Sequence, residues 1–114
     1  MRPQPLEIIC YHCQQAGEKA LKAVLAHHGE EIPRTHDLRL VPKLCAVHYP
    51  DMLNELSEPS RRLTDYASRT RYPDEIEVDE SDLESALKNA AQILAYVTEL
   101  MEKVQGNIEN DEIQ

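Results

Sequence analysis

Two pairs of side chains in this sequence have the spacing of metal ligands. Cys10 and Cys13 form a C-x2-C pair, and Cys45 and His48 form a C-x2-H pair. Four such ligands could hold Zn²⁺ tetrahedrally, so a zinc-stabilised interaction module is one interpretation. Both pairs lie in segments that predict helices, and Cys13 falls on an apolar stripe where a free thiol packs as a small hydrophobic group. We therefore predict buried structural thiols and no metal site.

A polar ridge follows the first cysteine pair. Within it, Glu18 and Lys22 have the i, i+4 spacing and order that favour an ion pair on a helix. The alternative is that Lys19 and Lys22 face a ligand that carries phosphate. His12 and His36 are further candidates for contact with such a ligand.

A second candidate cluster contains Arg69, Arg71 and Tyr72 at the end of a predicted helix. The helix dipole by itself favours cations at this position. An arginine guanidinium beside a tyrosine ring is also a common way to hold a nucleotide, with the charge on phosphate and the ring on the base. These three residues are the main candidates for binding a nucleotide.

Known catalytic motifs are missing from the chain. There is no G-x-S-x-G, no H-E-x-x-H and no glycine loop for phosphate, and the sequence has three glycines in all. We predict no catalytic residue and no cofactor.

The formal charge of −9 is concentrated in two segments. Seven acids lie between Asp74 and Glu84, and three more follow Gly106; the rest of the chain carries +1. Net acidity argues against RNA as a partner. It does not exclude a phosphate-bearing ligand at the local basic cluster, which consists of Arg61, Arg62, Arg69 and Arg71.

Length and apolar content bound the organisation and the compartment. A chain of 114 residues is expected to form one domain. No run approaches the ~18 apolar residues of a membrane-spanning helix, and the N-terminus has no secretory apolar region. Three cysteines are an odd number and no disulfide scaffold, so we predict a reducing cytoplasm and no membrane association.

The apolar spacing predicts helices throughout and no strand. The first helix spans about 6–28 and ends at Gly29; a second starts near Thr35 or Asp37 and stops before Pro50. A third region restarts after Pro59. The last helix begins at a capping box, Ser81-x-x-Glu84, and Gly106 ends it. Its predicted heptad seam consists of Leu83, Leu87, Ala90, Leu94, Val97, Met101 and Val104.

The predicted fold is an all-α, up-and-down bundle of about four helices. It occupies residues 1–105, and residues 106–114 form an acidic tail that is expected to be disordered.

Three segments together resemble one protein family. Residues 9–23 resemble the helix signature of the HEPN domain (higher eukaryotes and prokaryotes nucleotide-binding), and Arg34-Thr-His-Asp-Leu38 resembles the start of its next helix. Tyr66, the Arg71-Tyr-Pro-Asp74 stretch and the last helix are similar to its C-terminal half. The resemblance covers about residues 8–104. It implies a helical bundle that commonly forms a homodimer, with a minimal nucleotidyltransferase as partner in many bacterial and archaeal members, some of them toxin–antitoxin pairs.

The resemblance implies ribonuclease activity only where an arginine is followed four to six residues later by a histidine. Here His48 stands nine positions after Arg39, and His36 two after Arg34. A ribonuclease toxin would therefore need Arg39 and His48 to pair across a dimer, and we predict a non-catalytic module instead. Only about eight residues precede the signature, so the usual first helix is expected to be missing. The resulting apolar groove would take a second copy or a partner.

Overall fold

The computed structural model describes residues 5–70 and 79–113, and the side chains of all these except 65–70 and 107–113. The described chain contains four helices and no strand, so the predicted all-α bundle is confirmed. The helices are α1 (Pro5–His27), α2 (Val41–Cys45), α3 (Asp51–Thr70) and α4 (Glu80–Ile113).

Helix α1 ends as its sequence predicts. Gly29 has a φ of 69°, the left-handed conformation that glycine adopts without strain. The Gly29 amide donates to the Ala26 carbonyl, and the Glu30 amide to that of Leu25, at 3.0 Å each. These bonds satisfy carbonyls that the helix itself leaves without partners.

Helix α2 is shorter than predicted. The residues expected to begin it form turns: the Asp37 amide donates to Thr35 Oγ1 (3.0 Å), and the Arg39 amide donates to Asp37 Oδ1 (2.9 Å). The helix starts at Val41, which places Pro42 in its first turn. Proline costs little there, because the amide hydrogen that it lacks would have no partner within the helix.

Helix α3 runs continuously through Pro59, whereas the sequence predicts a break there. Proline removes the amide that would bond to the carbonyl four residues earlier, which belongs to Glu55. Gln92 of α4 supplies a replacement, since its Nε2 donates to the Glu55 carbonyl at 3.2 Å. A tertiary hydrogen bond therefore takes the place of the missing helical one.

The cap of α4 also differs from the prediction. The reciprocal pair is formed by Asp79 and Asp82: the Asp82 amide donates to Asp79 Oδ1 (2.8 Å), and the Asp79 amide to Asp82 Oδ2 (3.1 Å). The capping box therefore starts two residues before the predicted Ser81, and α4 begins at Glu80.

Helix α4 is rotated relative to its predicted seam. Ala90 and Val97 are buried as expected, but Leu87 and Leu94 are 49% and 40% exposed, and Ile93 is buried in their stead. The helix also continues past Gly106 to Ile113, where the sequence predicts its end and a disordered tail. Gly106 does not adopt the left-handed conformation that would end the helix.

The core lies where α1, α3 and α4 meet, with α2 packed against α1 and α3. Gly17 of α1 marks the closest approach. A Cβ there would stand 3.1 Å from Leu63 Cδ1 and 3.3 Å from Ile93 Cδ1. The largest fully buried side chains are Leu21, Leu25, Leu38, Met52, Leu56, Leu63 and Ile93.

Candidate functional site

A buried carboxylate organises the polar ridge of α1. The Glu18 side chain is 6% exposed, and its Oε1 lies 2.9 Å from Nδ1 of His36 in the loop that follows α1. Its Oε2 lies 3.5 Å from Lys22 Nζ, so the predicted i, i+4 ion pair is confirmed. The two candidate residues Lys22 and His36 therefore meet at one acid.

The same ridge binds the backbone of the loop. Lys22 Nζ donates to the Thr35 carbonyl at 2.9 Å, and Gln14 Nε2 donates to the His36 carbonyl at 3.2 Å. A loop with few apolar contacts is otherwise free to move, whereas these bonds hold residues 35 and 36 against α1. The Lys22 side chain is 17% exposed, and its ammonium contacts Glu18 and the Thr35 carbonyl within the chain. We name Gln14, Glu18, Lys22 and His36 the loop clamp.

The turn that follows the loop clamp is held by hydrogen bonds of its own. The Asp37 carboxylate accepts two hydrogen bonds from the Arg39 guanidinium, at 2.9 and 2.8 Å. That pairing holds the pKa of Asp37 below its usual value, despite an opposing effect of burial. The next amide, that of Leu38, donates to Thr64 Oγ1 of α3 (3.1 Å) and brings the Leu38 side chain into the core.

The other predicted binding residues lie elsewhere. His12 and Lys19 are exposed on α1, seven positions apart and therefore on one outward face. Arg69 belongs to α3, but its side chain lies outside the described ones. Arg71 and Tyr72 lie outside the described residues altogether. The nucleotide cluster predicted from the sequence stays a prediction.

Part of the local basic cluster has acidic partners. Arg61 and Arg62 both donate to the Glu58 carboxylate on the exposed face of α3, at 2.6 and 3.0 Å. These bonds lower the pKa of Glu58 to about 2. The charge that two of the four arginines offer to a ligand is therefore partly compensated.

The cysteines do not form the ligand set that their spacing allows. Cys10, Cys13 and Cys45 are buried free thiols, and burial raises the pKa of each, that of Cys45 to about 11. Cys45 Sγ donates to the Leu21 carbonyl, and His48 contacts Glu30 instead of the thiols. Within the described part of the chain, no three His, Cys, Asp or Glu side chains are placed to hold a metal ion.

The rival pair Arg39 and His48 is engaged in separate local contacts. The Arg39 guanidinium is bound to Asp37, and the His48 ring is bound to Glu30 and stacked on His28. Within one chain, these bonds hold the two side chains to different partners. A pairing of Arg39 with His48 across a dimer therefore stays an alternative interpretation.

No pattern in the sequence predicts the polar groove that lies between α3 and α4. Its volume is about 640 Å³, and it combines cations, acids, amides and hydroxyls. The lining includes Arg62, Lys88, Ser81, Ser85, Asn54 and Asn89. Residues from two successive helices form it, and only the packing of α3 on α4 brings them together.

The helices, the clamped loop and the groove define an all-α helical bundle domain. No helix in the described ranges is long and apolar enough to cross a membrane. The family model of the HEPN domain matches residues 2–101, nearly the whole chain, and the chain therefore belongs to the HEPN domain family. Membership supports a nucleotide-related or ribonuclease-like module as the general class of function. No curated protein and no solved structure matches the chain.

Proposed function

We propose that this chain is a non-catalytic HEPN module that acts by binding. It pairs with a second copy through α4 and takes up a nucleotide or docks a minimal nucleotidyltransferase, as one half of a toxin–antitoxin pair. The observation that carries the pairing is the part of the α4 seam that the fold leaves uncovered. Leu87 and Leu94 are exposed there, and Leu83 and Met101 are only half-buried.

The uncovered residues have the spacing of a helix-pairing seam. The exposed Leu87 and Leu94 lie seven residues apart on one line of α4. Leu83 and Met101 continue this line at steps of four and seven residues, and both also pack against the core. The intervening exposed positions on this line are Ala91 and Thr98, so it carries no charge. At 1.5 Å per residue the line is about 27 Å long.

A second copy of the chain fits this line better than an unrelated surface. A heptad seam is complementary to itself, so two copies of α4 can pack symmetrically about a twofold axis. Ile8 and Ile9, exposed on α1, add apolar surface to the helix that packs mainly on α4. A patch of this kind is costly to leave in water.

Leu94→Glu should dissociate the pair. A carboxylate at the centre of the seam would be buried twice, once in each copy, without a counter-ion. We expect the dimer Kd to rise by roughly 100-fold or more. Size-exclusion chromatography with light scattering at micromolar concentration measures this.

The matched control for that experiment is Val47→Glu, since Val47 is 78% exposed on the connection after α2. It should stay dimeric. A monomeric wild-type chain would refute self-association, and equal effects of the two variants would move the interface away from α4.

The nucleotide part of the proposal rests on Arg69, Arg71 and Tyr72, the cluster that the sequence predicts, and on the nearby groove between α3 and α4. Its volume of about 640 Å³ lies within the usual range of small-ligand sites, about 300–1,000 Å³. Lys88 in its lining makes no hydrogen bond or ion pair with another described residue, and its ammonium can therefore meet a phosphate. Arg69 follows the groove residue Arg62 by seven positions, about two turns of α3.

Arg71→Ala should weaken binding of ATP by roughly 10- to 100-fold, the usual worth of a charged hydrogen bond. Isothermal titration calorimetry measures the affinity. Arg34→Ala is the matched control, an exposed arginine in the loop after α1 that should leave affinity unchanged. Unchanged binding by the Arg71 variant would remove that residue from the site, and no heat with ATP, ADP or AMP would refute nucleotide binding.

A further inference from the structure

A cluster of ring side chains joins the end of α1 to the connection between α2 and α3. The imidazoles of His28 and His48 are stacked, with centroids 3.9 Å apart and planes only 5° from parallel. His27 meets His28 edge to face at 5.1 Å, and Tyr49 lies 5.2 Å from it. None of these contacts belongs to the loop clamp or to the groove.

Hydrogen bonds fix both rings of the stack. His28 Nε2 lies 2.8 Å from the Tyr49 hydroxyl, and His48 Nε2 lies 3.0 Å from Glu30 Oε1. A carboxylate only accepts, so Nε2 of His48 carries the hydrogen of this bond. Each ring is thus held by a residue from the opposite segment: Tyr49 holds His28, and Glu30 holds His48.

The stack closes over the terminus of α1. The amides of His28, Gly29 and Glu30 all bond to carbonyls of the last helical turn, at 3.0 to 3.1 Å. His48 and Tyr49 are themselves fixed to α2, because both of their amides donate to the Cys45 carbonyl at 3.0 Å. Contact between the two rings therefore couples the end of α1 to α2.

Protonation acts directly on this contact. Two imidazolium rings at 3.9 Å would repel, whereas a neutral ring stacks on either form. The titratable groups that face His28 among the described residues are His27, Glu30, His48 and Tyr49. Burial, then His48 and His27, lower the pKa of His28, and Glu30 opposes them.

We propose that the stacked rings of His28 and His48 form a pH-sensitive latch between α1 and the α2–α3 connection. The latch is closed while at least one ring is neutral and opens when both are protonated. Since the folded protein disfavours the charged form of His28, the unfolded or open state binds more protons below the ordinary histidine pKa of about 6.5. The contact is therefore fully present above that pH and is lost as the pH falls through the lowered pKa of His28.

Amide hydrogen exchange from about pH 7.5 to about pH 5 tests the latch, after correction for the intrinsic pH dependence of exchange. Protection of the Gly29 and Glu30 amides should fall roughly fivefold or more, the effect of two unit charges about 4 Å apart in a water-like dielectric. In His48→Gln this fall should disappear. The NMR titration midpoint of His28 should rise in the same variant, because its charged neighbour is gone.

His12→Gln is the matched control, an exposed histidine on α1 outside the cluster, and it should keep the wild-type profile. His28→Gln provides a second variant, in which the fall should also disappear. The proposal is overturned if wild-type protection does not change with pH, or if the change persists in either glutamine variant.

Discussion

Gly17→Leu should lower the free energy of unfolding by about 3 kcal/mol, at the upper end of the usual cost of overpacking a core. Even a Cβ at this position would approach Leu63 Cδ1 to 3.1 Å and Ile93 Cδ1 to 3.3 Å. A leucine adds three further carbons where α1, α3 and α4 already meet. The helices must separate or the neighbouring side chains must leave their preferred rotamers.

Urea unfolding followed by circular dichroism measures this loss. Gly106→Leu is the matched control, because a Cβ there meets no heavy atom within 4 Å on the helical surface of α4. That variant should be neutral or more stable by up to about 1 kcal/mol, since leucine is the better helix former. Equal stability of the two variants would contradict the tight packing at Gly17.

Glu18→Ala should lower the free energy of unfolding by about 2 kcal/mol, the second largest effect on folding stability that we expect. The carboxylate is buried, and it joins His36 and Lys22 at 2.9 and 3.5 Å. Its removal leaves Lys22 partly buried without its counter-ion, although the Thr35 carbonyl still accepts a bond from it. We also expect the loop at residues 35 and 36 to lose its attachment to α1.

Urea unfolding measures the loss of stability, and amide hydrogen exchange at residues 35–38 measures the release of the loop. Lys19→Ala is the control: its side chain is exposed one residue further along α1, and we expect a change within about 0.5 kcal/mol. A Glu18 variant as stable as this control would mean that the clamp contributes nothing to folding.

Local signals account for what the sequence predicted well. The three- and four-residue spacing of apolar side chains yields α1 within one residue at each end, and Gly29 ends the helix because glycine alone takes a positive φ without strain. The Glu18–Lys22 ion pair follows from helical spacing alone. The family resemblance rests on the same contiguous segments.

The errors at helix ends have a different origin. Asp79 and Ser81 both offer a capping side chain, and local sequence does not choose between two overlapping boxes. From the sequence alone, Pro59 predicts a break in the helix. The helix continues because Gln92 of α4 donates to the carbonyl that the proline leaves without a partner. In each case the deciding interaction is a geometry or a partner that spacing does not encode.

The candidate sites divide along the same line. The sequence suggests His36 as a ligand contact, whereas in the structure its ring is hydrogen-bonded to Glu18 in the loop clamp. The stacked histidines are twenty residues apart, and no motif links them. Arg71 and Tyr72 depend on the sequence alone.

The sequence by itself determined the helical class and the extent of α1, because both follow from spacing within one or two helical turns. It also determined the family, which rests on the residue types along the chain. The tertiary structure decided which side of α4 is buried. Leu87 and Leu94 continue the apolar pattern as well as Ile93 does, but α1 and α3 can cover only one side of the helix. Apolar periodicity marks a packing surface on a helix, but it does not specify which helix covers that surface. The packing of α1 and α3 therefore leaves Leu87 and Leu94 exposed.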